Sequence, residues 1–191
     1  MQDLVLNGPT PRHFPITVEI YHLMADKGAF ASDDRVELIG GEIFDMSPVG
    51  SLHVRCINFL NAYFSRLGQQ FVVSVQNPIV LDSESEPQPD IALLRPVPDL
   101  YKDELPRAKD VILIVEVADS SVEFDRGLKF RRYAAAGISE AWLIDLAHDR
   151  VEVHSLPKEN GFGLVKVYTR GENAVSETVA EIDLAVDDIL G

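Results

Sequence analysis

The chain has 191 residues, and its 17 lysines and arginines against 31 aspartates and glutamates give a formal net charge of −14 at pH 7. This excess of acid argues against a protein held on nucleic acid by bulk charge, but a metal enzyme remains possible, because bound cations supply local positive charge among carboxylates. The single cysteine excludes an internal disulfide framework and a zinc finger, and no apolar run reaches the length of a membrane span.

The first fifteen residues carry three prolines, which predicts an irregular arm over residues 1–15. We expect the remainder, residues 16–191, to form one domain, because its length is within the ordinary range for a domain. Thr17 is placed to cap a short helix that ends near Gly28. No secretory signal is visible, so we expect a cytoplasmic protein.

A hairpin and a longer helix are predicted next. The segment from Val36 to Met46 has two short β-rich runs on either side of Gly40 and Gly41, and this dipeptide supplies the positive φ angles of a tight hairpin turn. Apolar residues then recur at steps of three and four from Ser51, which predicts a helix ending at Gly68. The fold is therefore expected to open with a helix, a hairpin and a second helix.

The rest of the chain mixes β-rich runs with helical segments. Six of the seven residues from Val111 to Val117 are large aliphatics, which is typical of a central strand covered on both faces. Because strands and helices do not alternate strictly, the sequence predicts an α/β (mixed α+β) fold with a central mixed β-sheet flanked by helices. The other predicted elements are strands at Phe71–Val75, Ile79–Leu81, Asp90–Leu94, Glu140–Asp145, Val151–Leu156 and Leu164–Thr169, a helix at Asp125–Ala136, and a weak strand and short helix within the last twenty residues.

Two carboxylates stand at strand positions where charge is costly. Glu116 interrupts the aliphatic strand, and an ionised carboxylate there costs several kcal/mol unless a cation or hydrogen-bond donors compensate it. Taken alone, Glu116 is most simply a strand-end residue that turns to water or pairs with an arginine. Asp90 opens a neighbouring strand, however, and carboxylates on adjacent strands can share a hard cation such as Mg²⁺.

A lysine and a further acid complete the candidate set. Asp125, Lys129 and Tyr133 share one stripe of the predicted helix. An amine at Lys129 could orient a metal-bound water and offset phosphate charge, whereas the simpler alternative is a solvated Asp125–Lys129 pair worth about 0.3–0.5 kcal/mol. Glu37 in the hairpin belongs to the set only if the fold brings it to the others. His53 is expected to be a structural hydrogen-bonding residue and is left outside the catalytic set.

Taken in order, these motifs resemble the Uma-type restriction endonucleases, a family of the PD-(D/E)XK nuclease superfamily. The resemblance extends from about Thr17 to Val153. Each motif is short, but their order along the chain is specific. The motifs are VELIGGEI at 36–43, Met46-Ser47-Pro48 with His53, PDIA at 89–92, VEV at 115–117, the spacing of Asp125, Lys129 and Tyr133, and Gly137-Ile138 followed by EAWLID at 140–145.

The resemblance implies a restriction-endonuclease-like fold and a Mg²⁺-dependent (or Mn²⁺-dependent) endonuclease that hydrolyses phosphodiester bonds of DNA. Asp90 and Glu116 would be the metal ligands, Lys129 the catalytic lysine and Glu37 an additional catalytic acid. The superfamily lysine usually follows the strand glutamate by two residues, and this chain has Ala118 at that position. Lys129 on the following helix must therefore take its place.

Other functions remain open at this point. A catalytically idle nuclease-like protein, acting as an interaction or regulatory subunit, is favoured by the negative charge. The endonuclease is favoured because an idle fold does not need all four candidate residues, and a metal-dependent hydrolase of small molecules ranks last because the chain has no glycine-rich phosphate loop. Cutting both strands of a duplex favours a homodimer, and no membrane partner is expected.

The cations expected to form a local basic track beside the site are Arg95, Lys102, Arg107, Lys109, Arg126, Lys129, Arg131 and Arg132.

Overall fold

The computed structural model describes residues 14–46 and 49–191, so the predicted arm lies outside the described residues except for its last two positions. Ser47 and Pro48, from the Met46-Ser47-Pro48 motif of the family resemblance, also lie outside the described residues. The predicted first helix is confirmed as α1, Val18–Asp26, and the Thr17 side chain accepts a hydrogen bond from the Ile20 N–H. In the part of the chain that is described, no helix has the length and apolar character required to cross a bilayer.

The predicted hairpin consists of β1, Val36–Ile39, and β2, Glu42–Asp45, in antiparallel register. Gly40 and Gly41 have φ angles of 61° and 78°, as a type I′ turn requires. A side chain at Gly40 would also collide with the guanidinium of Arg132, which lies 2.2 Å from the position of a Cβ. Backbone hydrogen bonds join the hairpin to a loop later in the chain: the Gly41 N–H donates to the Glu84 carbonyl, and the Glu86 N–H donates to the Leu38 carbonyl. The hairpin is therefore held at a fixed position over the sheet.

A six-stranded mixed sheet forms the centre of the molecule, as the sequence predicts. Strands β5, Val111–Ala118, and β6, Glu140–Asp145, are parallel, and every other neighbouring pair is antiparallel. The long aliphatic strand is β5, with a neighbour on each side. In spatial order the strands are β3 (Val72–Val75), β4 (Ile91–Leu94), β5 (Val111–Ala118), β6 (Glu140–Asp145), β7 (Arg150–Lys158) and β8 (Gly161–Thr169); a separate pair is formed by β9 (Asn173–Val175) and β10 (Asp183–Ala185).

Helices cover both faces of this sheet. On one face α2, Ser51–Arg66, and the C-terminal α5, Val186–Leu190, pack over a core that contains Trp142. On the other face a helical segment packs through Phe130 and Tyr133. All three of these aromatic side chains are at most 2% exposed, and burial of such a side chain contributes about 1.5–3 kcal/mol. The covered sheet explains why β5 is apolar on both faces.

The helix predicted over Asp125–Ala136 differs from the expectation in its geometry. It begins earlier as α3, Val122–Phe124, continues as a π-helix, Asp125–Lys129, and ends as α4, Phe130–Ala135. The Phe130 N–H donates to the carbonyl of Asp125, five residues back. Apolar spacing predicts a helix but not its pitch. Single π-turns are frequent at functional sites.

The strand predicted at Ile79–Leu81 is wrong. This segment makes only isolated contacts, among them a bridge from Val80 to Arg107 and a hydrogen bond from the Ile79 N–H to the Pro87 carbonyl. Pro78 has no N–H to donate and so discourages a ladder at its start. The C-terminal region also contains two short paired strands rather than one.

Candidate active site

Lys129 points inward, where its amine meets carboxylates from two other elements. Its Nζ lies 2.9 Å from Oε1 of Glu116 on β5 and 3.2 Å from Oε2 of Glu37 on β1. The distance to Oδ1 of Asp125, in the same π-helix, is longer at 4.0 Å. The lysine is 4% exposed, so this is a buried ion cluster rather than the solvated Asp125–Lys129 pair.

Glu116 is held by the same helical segment. Its Oε1 also accepts a hydrogen bond from the hydroxyl of Tyr133, which follows Lys129 by four residues. Both donors thus reach one carboxylate oxygen from one face of the helix. Sequence spacing placed Tyr133 on the stripe of Lys129, but only the packing of α4 on β5 gives it this contact with the strand glutamate.

Asp90 directly precedes β4 and lies beside Glu116 across the strand pair. Its Oδ2 accepts the Val117 N–H at 2.9 Å, and its backbone N–H donates to Oε2 of Glu116 at 3.4 Å. Its Oδ1 accepts a hydrogen bond from the Gln76 amide and lies 3.0 Å from Nε2 of His53. The fold therefore brings Asp90, Glu116, Lys129 and Glu37 together.

His53 is the residue that sequence reasoning left out. It lies in the first turn of α2 with a side chain that is 13% exposed. Its place in the resembling motif was a signal, but a histidine near a helix start has too many structural roles for that signal to decide. The contact with Asp90 makes it part of the site.

Burial governs the protonation of these groups. It raises the pKa of Glu116 to about 8, because the nearby Lys129 compensates the loss of water only in part. Burial alone would lower the pKa of Lys129, but Glu116, Glu37 and Asp125 outweigh it and raise that pKa. For Asp90, burial is outweighed by His53 and the other donors, and its pKa is lowered. The cluster thus has more buried carboxylates than buried cations.

The donor set fits a magnesium-type ion better than zinc. Asp90 and Glu116 offer carboxylate oxygens, and Mg²⁺ typically takes one or two carboxylates while it keeps several waters. Within residues 14–46 and 49–191, no group of three or more His, Cys, Asp or Glu side chains is arranged to hold a metal by itself. A structural zinc site would need such a closed set of ligands.

The candidate site residues line a cavity of about 570 Å³. Glu37, Asp90, Glu116 and Lys129 contribute to its lining, together with His53. The hairpin supplies one wall, and the segment after β5 supplies another. A cavity of this size can admit a substrate group to the buried carboxylates.

The expected basic track beside this cavity is not formed. Arg95 and Lys109 lie at the opposite end of β4 and β5 from the site, because the antiparallel register pairs Leu94 with Val111. Arg126 is bound by carboxylates, and Arg132 lies against the hairpin turn. Of the eight expected cations, only Lys129 is among the residues that line the cavity.

Arg126 instead anchors the π-helix to β7 and β6. Its guanidinium binds both oxygens of Glu152, at 2.8 and 3.1 Å, and approaches Asp145 at 3.3 Å. Burial alone would raise the pKa of Glu152, but hydrogen bonds from His154 and Arg126 lower it to about 2. The two hydrogen bonds from Arg126 to Glu152 fasten the π-helix that carries Lys129 to β7.

We expect Glu152→Gln to reduce stability at pH 7 and to flatten its loss in acid. The carboxylate is ionised in the folded protein down to about pH 2 but accepts a proton near pH 4.5 when unfolded, so its contribution of up to about 3 kcal/mol disappears as the pH falls through that window. Urea unfolding at pH 7, 4 and 3 measures this difference. Glu177→Gln, at an exposed ion pair with Lys166, is the control. Parallel pH curves for Glu152→Gln and the parent would contradict the prediction.

We expect His53→Ala to weaken Mn²⁺ binding about tenfold, with little change in thermal unfolding, because the hydrogen bond from His53 would orient Asp90, the carboxylate expected from the sequence to be a metal ligand. His53→Gln, which keeps a donor, should recover part of the affinity. Calorimetric titration with Mn²⁺ measures both. His22→Ala, which removes a histidine from Glu86 at another place on the surface, is the matched control. If His53→Ala binds Mn²⁺ with the affinity of the parent protein, this histidine contributes to packing alone.

Comparison with known proteins identifies the fold and the family of this chain. No curated protein matches the chain. The fold is similar to the crystal structure of a "putative nuclease belonging to DUF820" from Anabaena variabilis ATCC 29413, with a TM-score of 0.67, 16% sequence identity, and coverage of 92% of this chain and 98% of that chain. Residues 18–187 match the model of the Uma2 family, described as "Putative restriction endonuclease". Because that match spans most of the chain, the protein belongs to the Uma2 family.

Proposed function

We propose that this protein is a Mg²⁺-dependent or Mn²⁺-dependent endonuclease that hydrolyses phosphodiester bonds of DNA, with residues 16–191 as one nuclease domain. The observation that carries the proposal is the buried lysine: Lys129 Nζ lies 2.9 Å from Glu116, beside Asp90, in a cavity open to substrate. A purely structural ion cluster would have no need of a cavity at its side. Asp90 and Glu116 are the proposed metal ligands.

A bound divalent cation would polarise the scissile phosphate and lower the pKa of an attacking water. The oxygen of that water would form the new bond to phosphorus as the ester P–O bond breaks, and a proton from the water would end on the leaving oxygen. The products would be a phosphate monoester and a hydroxyl group. Asp90 and Glu116 together carry the negative charge that the cation needs. Both carboxylates are largely buried at the edge of the cavity, which strengthens their attraction for a cation relative to carboxylates in water.

Lys129 supplies the positive charge that Ala118 cannot. Because the surrounding carboxylates raise its pKa, the amine stays protonated and acts as a hydrogen-bond donor to the phosphate or to the attacking water, not as a base. Glu37 fixes the lysine from the opposite side and is itself fixed by the Gln88 N–H at 3.1 Å. We therefore assign Glu37 an orienting part in the catalytic set.

The alternative, a catalytically idle protein that binds a partner, is supported by Arg126, whose guanidinium is bound by Asp145 and Glu152. We favour the enzyme because a lysine held between two carboxylates next to a third acid is costly to bury without a use. If duplex DNA is the substrate, we propose a homodimer, because two symmetric sites cut both strands. Sedimentation velocity at micromolar concentration measures that state.

The test is cleavage of labelled DNA with Mg²⁺, Mn²⁺ or EDTA. We expect products only with a divalent cation and none from Glu116→Gln. Soaked crystals should give a manganese anomalous peak between Asp90 and Glu116. Parent protein that leaves single-stranded and duplex DNA and RNA intact with either cation would overturn the proposed function in favour of the idle protein. A manganese peak elsewhere would overturn the assignment of Asp90 and Glu116 as ligands.

A further inference from the structure

The cavity that holds the candidate site has apolar walls above a charged floor. Phe44 of β2 and Phe124 of α3 both line it and meet edge to face, with ring centroids 5.0 Å apart and an interplanar angle of 61°. Leu52, at the start of α2, and Val49 also line it and are 60% and 42% exposed. Phe124 directly precedes Asp125, so the aromatic wall adjoins the Lys129 cluster.

Apolar groups of this kind find few partners on the outside of a nucleic acid duplex, chiefly thymine methyl groups in the major groove. The faces of paired bases are stacked inside the helix, and the backbone offers mainly phosphate and sugar. An unpaired nucleotide is different, because both faces of its base are free, and stacking on an aromatic side chain contributes to binding whatever the base. An aromatic wall beside a phosphodiester site therefore fits an unpaired nucleotide.

Charge in and around the cavity favours the same substrate. Of the described residues that line it, six are acidic and two, Arg35 and Lys129, are cationic. Proteins that bind duplex DNA neutralise several phosphates with lysines and arginines. Here Arg95 and Lys109 lie at the other end of the sheet, and Arg126 is bound by carboxylates. One short stretch of a single strand demands fewer such contacts than a duplex.

We infer that the substrate enters this cavity as an unpaired strand, with a nucleobase packed against Phe44 and Phe124 and its phosphodiester at Asp90 and Glu116. The substrate class is single-stranded nucleic acid, including unpaired ends of a duplex. This inference rests on the proposed function for the cleavage step but not for the binding step. It needs no second copy of the chain, in contrast to the cutting of both duplex strands.

The first experiment compares one sequence as single-stranded DNA, single-stranded RNA, blunt duplex DNA and duplex DNA with a single-stranded overhang. Initial cleavage rates with Mg²⁺ should be at least about tenfold higher for single strands and overhangs than for the blunt duplex, an expectation scaled from the contribution of one base–aromatic stack. The DNA and RNA arms identify which of the two strands is used. A blunt duplex cleaved as fast as the single strand would overturn the inference while leaving the nuclease intact.

The second experiment measures binding without cleavage. Glu116→Gln protein should bind a fluorescent single strand more tightly than the blunt duplex in anisotropy titrations. Adding Phe124→Leu, which keeps the apolar contact with Phe44 but removes the aromatic face, should weaken single-strand binding about tenfold, and Phe124→Trp should retain it. Leu156→Ala, an exposed apolar residue on β7 away from the cavity, is the control and should bind as the parent does.

These outcomes separate the inference from the proposed function. If no nucleic acid is cleaved, the proposed function fails, and the binding titrations still decide: tighter single-strand binding that Phe124→Leu removes supports the inference. Equal binding of single strand and duplex, or no effect of Phe124→Leu, overturns it. Thermal unfolding of each variant identifies any loss of binding that comes from disrupted Phe44–Phe124 packing. In that case Leu52→Ser, at an exposed position of the cavity wall, is the second test and should also weaken single-strand binding.

Discussion

Replacing Lys129 with alanine should abolish metal-dependent cleavage and leave Mn²⁺ affinity close to that of the parent. The amine is the cation nearest to Glu116, and no other side chain replaces it at position 118 or within the strand. Because the lysine is not one of the proposed ligands, its loss should remove the proposed contacts with phosphate and water but not the carboxylates proposed to hold the ion. Rate losses of about 10²–10³ are ordinary for one donor aimed at developing charge.

Lys129→Arg should also be poor, because a planar guanidinium is larger than the ammonium and differs in geometry around a small nucleophile. Calorimetry with Mn²⁺ and cleavage assays on the same preparations separate binding from chemistry. Lys166→Ala removes an exposed lysine paired with Glu177 and is the matched control. Cleavage at the parent rate in Lys129→Ala would end the assignment of a catalytic role to this lysine.

Replacing Glu116 with glutamine should abolish both cleavage and tight Mn²⁺ binding without unfolding the protein. The amide keeps the shape of the side chain and can still accept from Tyr133 and Lys129, but it removes a buried negative charge that only a cation compensates fully. In the absence of metal, we expect a thermal unfolding midpoint at pH 8 no lower than that of the parent. A fully active Glu116→Gln protein would falsify the ligand role.

The pH dependence of stability provides an independent readout of the same carboxylate. Its pKa is about 8 in the folded metal-free protein and 4.5 in the unfolded chain, so the folded state binds more protons between these values. Stability of the metal-free parent should therefore fall as the pH rises from 4.5 to 8. Glu116→Gln should lack this component, and Glu177→Gln should retain it. Urea unfolding at pH 5, 6.5 and 8 measures the slopes.

Several parts of the fold could be predicted because their causes are local. Thr17 accepts the hydrogen bond of a helix cap, Gly40 and Gly41 take the φ angles of the hairpin turn, and the aliphatic run at β5 is buried between two helical layers. The segment at Ile79 shows the limit of such arguments. Its residues suit a strand, but the loop around it leaves no neighbouring strand for a ladder.

The site could be predicted as a set of residue types, and the geometry that joins them could not. Asp90 directly precedes β4 and Glu116 lies on the adjacent β5, which spacing and apolar pattern suggest. The π-turn at Asp125–Lys129 has the same apolar spacing as an ordinary helix, so the sequence could not reveal it. The role of His53 depends on where α2 docks against the start of β4, which its own helix does not encode.

By itself, then, the sequence determined the order of most elements, the central strand and the identity of the carboxylates and the lysine, because propensity and burial patterns act over a few neighbouring residues. The tertiary structure decided that Lys129 meets Glu37 as well as Glu116, and that Arg95 and Arg126 form no basic track. Those outcomes depend on the antiparallel register of β4 with β5 and on the hydrogen bonds that fasten the hairpin to the loop at residues 84–86. Electrostatic interactions act through space, so they follow from the packing of distant segments and not from their spacing along the chain.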